Sequence, residues 1–323
     1  MKSPQKNKSG ILLINLGTPS SPEPNSVRRY LAEFLSDSRV IEIPKILWLP
    51  LLHGIILRRR PKQSAKLYKK IWMPEGSPLL VYSSQITEKL NEILKSDNTV
   101  VELGMCYQNP SVEKAIERLS EKGISELTVL PLYPQYSSST TAAAFDKVTQ
   151  TLQKMRNIPH LNFIKHYCYQ DEYIRAMAQQ IQSFWRTHEK PQKLVFSFHG
   201  IPEKRVKQGD PYSKECYDTA HAIAERLQLS HEEWDIVFQS RFGRAEWLQP
   251  YCEPTLRAYP EHGVKSIHVV CPGFAVDCLE TLEEINMQMR EAFLDAGGER
   301  FEYIPALNDS EAHVEALREI LIK

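Results

Sequence analysis

At roughly 150 residues per domain, a chain of 323 residues has room for about two domains. Forty Lys and Arg balance forty Asp and Glu, giving no net charge and a pI near 7.1, without the basic excess of a nucleic-acid binder, so no nucleic-acid partner is expected. Hydrophobic residues at 42% and charged residues at 25% exclude global disorder, and a chain this long buries a core without staples. The six cysteines, Cys106, Cys168, Cys216, Cys252, Cys271 and Cys278, never form C-x-x-C, so neither a zinc ribbon nor a thioredoxin motif is written here.

Met1 to Gly10 is polar and basic, lacks the apolar core of a signal peptide, and is expected as a short frayed tail. The cysteines then read as reduced thiols of a cytosolic protein. Short apolar, β-branched runs follow at intervals: Ile11–Leu16, Thr99–Leu103, Leu127–Leu130, Leu161–Lys165, Leu194–Phe198, Asp235–Phe238, Ile267–Val270 and Glu302–Ile304. Longer helical patterns separate them. Continuous apolar strands alternating with helices predict parallel sheets covered on both faces, an α/β fold. Val40 to Leu57 is also apolar, but Pro44, Lys45, Pro50 and His53 interrupt it, and it falls short of a span of about 20 apolar residues.

Internal similarity predicts two sheets of four strands rather than one of eight. Gly123-Ile-Ser-Glu-Leu-Thr-Val-Leu-Pro resembles Gly263-Val-Lys-Ser-Ile-His-Val-Val-Cys-Pro, and Ile11-Leu-Leu-Ile-Asn-Leu-Gly-Thr-Pro resembles Leu194-Val-Phe-Ser-Phe-His-Gly-Ile-Pro. The expected units are two similar Rossmann-like domains, residues 1–165 and 166–309, with a last helix at 310–323 packing back on the first. Gly17 to Gly123 spans 106 residues against 63 from Gly200 to Gly263, so the first half carries an insertion at about 40–80. Long insertions in compact α/β units are commonly functional loops or lids. Trp48, Leu49, Leu51, Leu52, Ile55 and Ile56 supply its apolar area and Arg58-Arg59-Arg60 follow at once, a pairing that suits an interfacial lip. The alternative is that these residues complete the core of the first domain.

Ligands of open α/β sheets bind beyond the carboxyl ends of the strands. His199 ends the fifth strand there, before Gly200-Ile201-Pro202, where an imidazole can take up protons or bind a metal near neutral pH. Asp277, Glu280, Glu284 and Gln288, spaced by three, four and four, would share one face of a helix, with Leu279, Leu282, Ile285 and Met289 on the apolar face. A histidine facing carboxylates suits Fe²⁺, Mn²⁺, Co²⁺ or Zn²⁺, and equally a proton relay. A packed histidine and a solvated acidic stripe are the plain alternatives. Gly17 stands without a G-x-G-x-x-G or a P-loop, so nucleotide binding has no support. Gln239-Ser-Arg-Phe-Gly-Arg and Tyr133-Pro-Gln-Tyr-Ser-Ser-Ser-Thr-Thr are polar-aromatic loops, either turns or the lining of a cleft.

Across nearly its whole length the chain resembles the ferrochelatases, which insert ferrous iron into a porphyrin. The resemblance rests on Leu194-Val-Phe-Ser-Phe-His-Gly-Ile-Pro followed by Gly209-Asp-Pro-Tyr212, and on Gly76-Ser77-Pro78, Tyr133-Pro-Gln-Tyr-Ser, Phe238-Gln-Ser-Arg, Asp277-x-x-Glu280-Thr-Leu and Glu302-Tyr-Ile-Pro-Ala-Leu-Asn. It implies Fe²⁺ insertion into protoporphyrin IX, with release of two protons, in a cleft between the two domains. His199 and Glu280 would be the central metal and catalytic pair, with Asp277 and Glu284 as a secondary relay along a helix with a π-type widening. Leu16, Arg59, Arg60, Tyr68, Ser77 and Tyr133 would contact the porphyrin, and Leu16 corresponds to His199 within the repeat. Whether His199 ligates iron or accepts pyrrole protons stays open.

Two positions depart from relatives. Some ferrochelatases hold a [2Fe–2S] cluster through a cysteine where this chain has Ser138, together with cysteines of a C-terminal extension, so no cluster and no resident cofactor are expected. Cys278 stands where many relatives have a second histidine. The remaining expectations are a cytoplasmic monomer or weak homodimer, with peripheral membrane contact through 40–57. The rivals are a chelatase for cobalt or a more polar tetrapyrrole, and a non-enzymatic two-domain binder.

Overall fold

A computed structural model describes residues 8–243 and 245–323. The tail expected at Met1–Gly10 lies, up to Asn7, outside the described residues, as does Arg244 of the loop after the sixth strand. All eight expected strands form: β1 Ser9–Gly17, β2 Thr99–Tyr107, β3 Glu126–Pro131, β4 His160–Phe163, β5 Lys193–His199, β6 Trp234–Gln239, β7 Ser266–Val270 and β8 Arg300–Ile304. They make two parallel sheets of the same order, β2-β1-β3-β4 and β6-β5-β7-β8. The repeat seen in the sequence is therefore a repeat of topology, with β1 matching β5 and β3 matching β7.

The chain divides into two compact units: residues up to Tyr133 with Ser137–His166 and Leu321–Lys323, and Pro134–Tyr136 with Tyr167–Ile320. The last helix, Glu311–Leu321, groups through Ile320 with the second unit, not the first as its sequence suggested. Within that unit, Arg175 of helix Asp171–Trp185 donates to Glu319 at 3.1 Å.

In each unit the central strand is apolar over nearly its whole length because helices cover both faces. Ile11, Leu12, Leu13 and Ile14 are buried in β1, and Leu194, Val195, Phe196 and Phe198 in β5. The covering helices show the complementary spacing. In Val112–Glu121, Val112, Ala115, Ile116 and Leu119 form the buried stripe, and the Ser111 hydroxyl accepts from the Lys114 N–H at the start. At the end of β1 the chain turns sharply at Gly17, where φ is +110° and a Cβ would fall 1.9 Å from the Tyr107 carbonyl oxygen; glycine alone fits.

The insertion of the first unit folds as helix Lys45–Leu51, a π turn Leu52–Ile56 and helix Leu57–Ile71. Leu52 and Leu57 are buried, and the Trp48 indole N–H donates to the Leu35 carbonyl at 2.6 Å. Ile46, Leu47, Leu51 and Ile55 stay in solvent, with Ile46 83% exposed. The two readings of this segment thus divide by residue. Leu52 belongs to the core, whereas the tip is an exposed apolar surface.

His268 lies fully buried in β7, its Nδ1 accepting from the Trp185 indole N–H at 3.1 Å. Burial, with a smaller contribution from the Arg300 charge, pushes its pKa down from 6.5 to about 4. The folded protein therefore holds it neutral where the unfolded chain protonates it. The associated stability is complete above about pH 6.5 and is lost as the pH falls towards 4, by up to about 3 kcal/mol. His268→Gln keeps a neutral acceptor for Trp185 and should flatten the fall of the urea midpoint between pH 6.5 and 4.

Candidate active site

The second unit brings its chemistry to the carboxyl ends of β5 and β6, where His199 and Gln239 are paired in register. The His199 Nδ1 lies 2.7 Å from the Gly200 carbonyl. A carbonyl only accepts, so Nδ1 carries the proton and the Nε2 lone pair is left available. Gln239 is buried, and its amide is fully used. Its Oε1 accepts from the Ser197 hydroxyl at 2.8 Å and from the Cys271 thiol at 3.7 Å. Its Nε2 donates to the Glu280 carbonyl at 3.0 Å and to the Glu284 carboxylate at 3.2 Å.

Glu280 opens a ten-residue π-helix, Glu280–Met289, with Thr281, Glu283, Ile285 and Met289 buried. The sequence spacing predicts an α-helical stripe. The wider i→i+5 helix replaces it, a rare form that is frequent at functional sites. Glu284 is held from the strand side: the Ser240 N–H donates to Oε1 at 2.7 Å, and the Ser240 hydroxyl donates to Oε2 at 2.5 Å. Ser240 has φ +65°, an uncommon conformation for a residue with a side chain, and that turn aims both donors at one carboxylate. Burial raises the Glu284 pKa; the Ser240 hydrogen bond and, when protonated, His199 pull it back, and the Glu280 charge raises it again. Glu280 is half-buried beside the Cys278 thiol. Burial pushes that thiol well above its ordinary range.

Asp277 does not join this group as expected. It precedes the π-helix and is buried at 3% exposure. Its carboxylate accepts from the Thr281 hydroxyl at 2.9 Å, the Tyr303 hydroxyl at 2.5 Å, the Asn308 amide at 2.7 Å and the Ala306 N–H at 3.4 Å. Both of its oxygens are engaged in hydrogen bonds within the protein. Gln288, the fourth member of the expected stripe, is exposed and donates to Glu283 at 2.6 Å.

The residues expected to touch a porphyrin all lie in the first unit. Leu16 is half-buried near the end of β1, its N–H donating to the Asn15 side-chain carbonyl at 2.8 Å. Ser77, just before helix Pro78–Leu94, is buried and accepts from the Thr18 hydroxyl at 2.8 Å. Tyr68 is buried with its ring edge-on to Trp72. Arg59 and Arg60 are exposed and form no ion pair among the described residues. Tyr133 turns its hydroxyl inward beside the buried Cys106 thiol, and burial raises its pKa well above the ordinary value. Its ring, not its hydroxyl, is what a ligand could meet. Gln239 and Ser240 were visible in the sequence only as a polar loop after a strand, and the clamp of Tyr303 and Asn308 on Asp277 left no sequence signal beyond the motif that contains them.

Two parallel four-stranded sheets of one design are a fold this chain shares with solved metal chelatases. The cobalt complex of the sirohydrochlorin chelatase SirB from Bacillus subtilis subspecies spizizenii is similar over 98% of this chain and 94% of its own, with a TM-score of 0.56 at 11% identity. CbiX, the terminal enzyme of sirohaem biosynthesis in denitrifying bacteria, is similar over 97% and 99%, with a TM-score of 0.51 at 12% identity. Sequence is more specific. The ferrochelatase family model matches residues 8–323. The ferrochelatase of Methylococcus capsulatus is 52% identical over 97% of this chain and 96% of its own, and that of Bordetella pertussis 50% identical over 97% and 87%. The chain belongs to the ferrochelatase family. It is an enzyme, a metal chelatase that inserts Fe²⁺ into a porphyrin to give haem.

Proposed function

We propose that His199, Glu280 and Glu284 carry out the insertion step. Metallation replaces two pyrrole N–H protons with one Fe²⁺, so two protons must leave as the cation enters. The observation that carries the assignment is the His199–Gly200 hydrogen bond, which fixes the proton on Nδ1 and leaves Nε2 as a base on a rigid strand end. In this reading Nε2 accepts one pyrrole proton and releases it to water before accepting the second. Glu280, with its carboxylate open, takes the iron from water through hard oxygen donors, and Glu284 lies one π turn further along the supply path. Leu16, Tyr68, Ser77, Tyr133, Arg59 and Arg60 are the proposed porphyrin contacts of the first unit, the two arginines serving the propionates. His199→Ala and Glu280→Gln should each cut kcat for Fe²⁺ insertion by about 10²-fold or more at an unchanged melting temperature. Steady-state insertion assays check this, and near-native turnover in either variant removes it from the site.

We also propose that the enzyme works without an iron–sulfur cluster. Ser138 stands at the loop position used by cluster-binding relatives, and all six cysteines are buried free thiols. Protein purified anaerobically should contain iron and acid-labile sulfide at well below stoichiometric amounts; a stoichiometric yield of both overturns this.

No helix among the described residues is long and apolar enough to cross a membrane. We propose instead a cytoplasmic enzyme that touches the inner face of the membrane through the tip of the insertion. The exposed Ile46, Leu47, Leu51 and Ile55 supply apolar area, and Arg58, Arg59, Arg60, Lys62 and Lys66 on the next helix supply exposed positive charge. Ile46→Ser with Leu47→Ser should weaken sedimentation with anionic vesicles and shift stability by less than about 1 kcal/mol. Leu52→Ser, in contrast, should cost about 2–5 kcal/mol, as a large-to-small change in a core does. Unchanged vesicle binding in the double tip variant overturns the contact.

A further inference from the structure

Asn308 ends the motif Glu302-Tyr-Ile-Pro-Ala-Leu-Asn, and nothing in the insertion step described above uses it. It stands in the left-handed region at φ +50°, which asparagine tolerates better than most residues. Both ends of its carboxamide meet the same partner. Oδ1 accepts from the Asp277 N–H at 2.8 Å, and Nδ2 donates to the Asp277 carboxylate at 2.7 Å. Its backbone is fixed on both sides, the N–H donating to Ala275 at 3.1 Å and the carbonyl meeting Nδ1 of the fully buried His313 at 2.6 Å. The other Asp277 oxygen is closed by the Tyr303 and Thr281 hydroxyls.

Thr281 extends this clamp into the π-helix. Its hydroxyl donates to Asp277 and accepts from the Cys278 N–H at 2.9 Å, so the turn that presents Glu280 is built on the clamped aspartate. The first N–H groups of a helix have no partner within it, and their order depends on such caps. Glu280 lies three residues beyond Asp277, and its carboxylate has no comparable set of donors to hold it.

We propose that Asn308 is a positioning residue for iron insertion, acting through Asp277 to fix the start of the π-helix and with it the Glu280 carboxylate. The proposal rests on the assignment of Glu280 to the insertion step. Because the pair is one carboxylate facing one carboxamide, it can be exchanged. Asn308→Asp sets two carboxylates against each other and Asp277→Asn sets two amides, while the double exchange D277N/N308D restores one of each in the same place.

Each single variant should lose about tenfold or more in kcat for Fe²⁺ insertion, with the porphyrin KM within about twofold of wild type. The double exchange should return to within about threefold of wild-type kcat. If a single variant fails to fold, Asn308→Gly, which accepts the left-handed backbone and removes the clamp, replaces it and should show the same loss of kcat. Full kcat in Asn308→Asp or Asn308→Gly overturns the proposal. So does a double exchange with a native melting temperature and no recovery of turnover, because the pair would then serve folding alone. Failure of the site assignment would look different: Glu280→Gln would remain active whatever the exchange did.

Discussion

A buried primary amide has two donor hydrogens and a carbonyl oxygen, and each left unpaired costs about 1–3 kcal/mol. Gln239 is such a group, and its requirement for partners organises the second unit. Its oxygen draws Ser197 of β5 and Cys271 at the end of β7 to one point, and its nitrogen holds the backbone of Glu280 and the carboxylate of Glu284. Strand register sets the amide beside His199, and Gly200 closes the pair by donating its N–H to the Gln239 carbonyl at 2.8 Å. One fully bonded side chain thus fixes the distance between sheet and π-helix. The Glu280 backbone and the Glu284 carboxylate are thereby tied to the strand end that carries His199.

The three carboxylates that the sequence puts on one stripe take three different environments. Asp277 is saturated by donors and buried, which suits a permanent anion with a structural task. Glu284 is also held by donors, but burial and the neighbouring Glu280 work against its charge. Glu280 has the freest carboxylate. The three therefore differ in how open they are to a ligand, a difference that does not follow their order along the chain. It comes from the neighbouring strands and loops, not from the helix itself, because residues of one type at regular spacing would otherwise be equivalent.

Most of the fold was legible because it depends on continuous apolar runs. Strands buried on both faces read as Ile-Leu-Leu-Ile or Leu-Val-Phe, and the repeated motifs located their equivalents in the second half. His199 was legible for the same reason, since the end of a strand can be found once the strand is found. What stayed hidden depends on contacts distant in sequence. Asp277 looked like a member of an acidic stripe because its spacing to Glu280 is helical; only Tyr303, Ala306 and Asn308, 26 to 31 residues away, show that it faces inward. The π-helix was likewise invisible to a reading in periods of 3.6, and was expected only from the family resemblance.

The insertion shows the same limit from the other side. Leu51 and Leu52 are adjacent and chemically identical, yet one is 43% exposed and the other fully buried. Successive residues of a helix point about 100° apart, so neighbouring leucines leave in different directions, and no hydrophobicity scale separates them. The buried residues explain how the exposed ones persist. Leu52, Leu57 and the Trp48–Leu35 hydrogen bond anchor the segment at its base, so Ile46, Leu47 and Ile55 remain outside without collapsing onto the domain. An apolar tip held out by a rigid base and followed by a run of cations is stable in water only because its anchor supplies the folding energy. Its exposed face is then not needed for folding, which the proposed membrane contact requires.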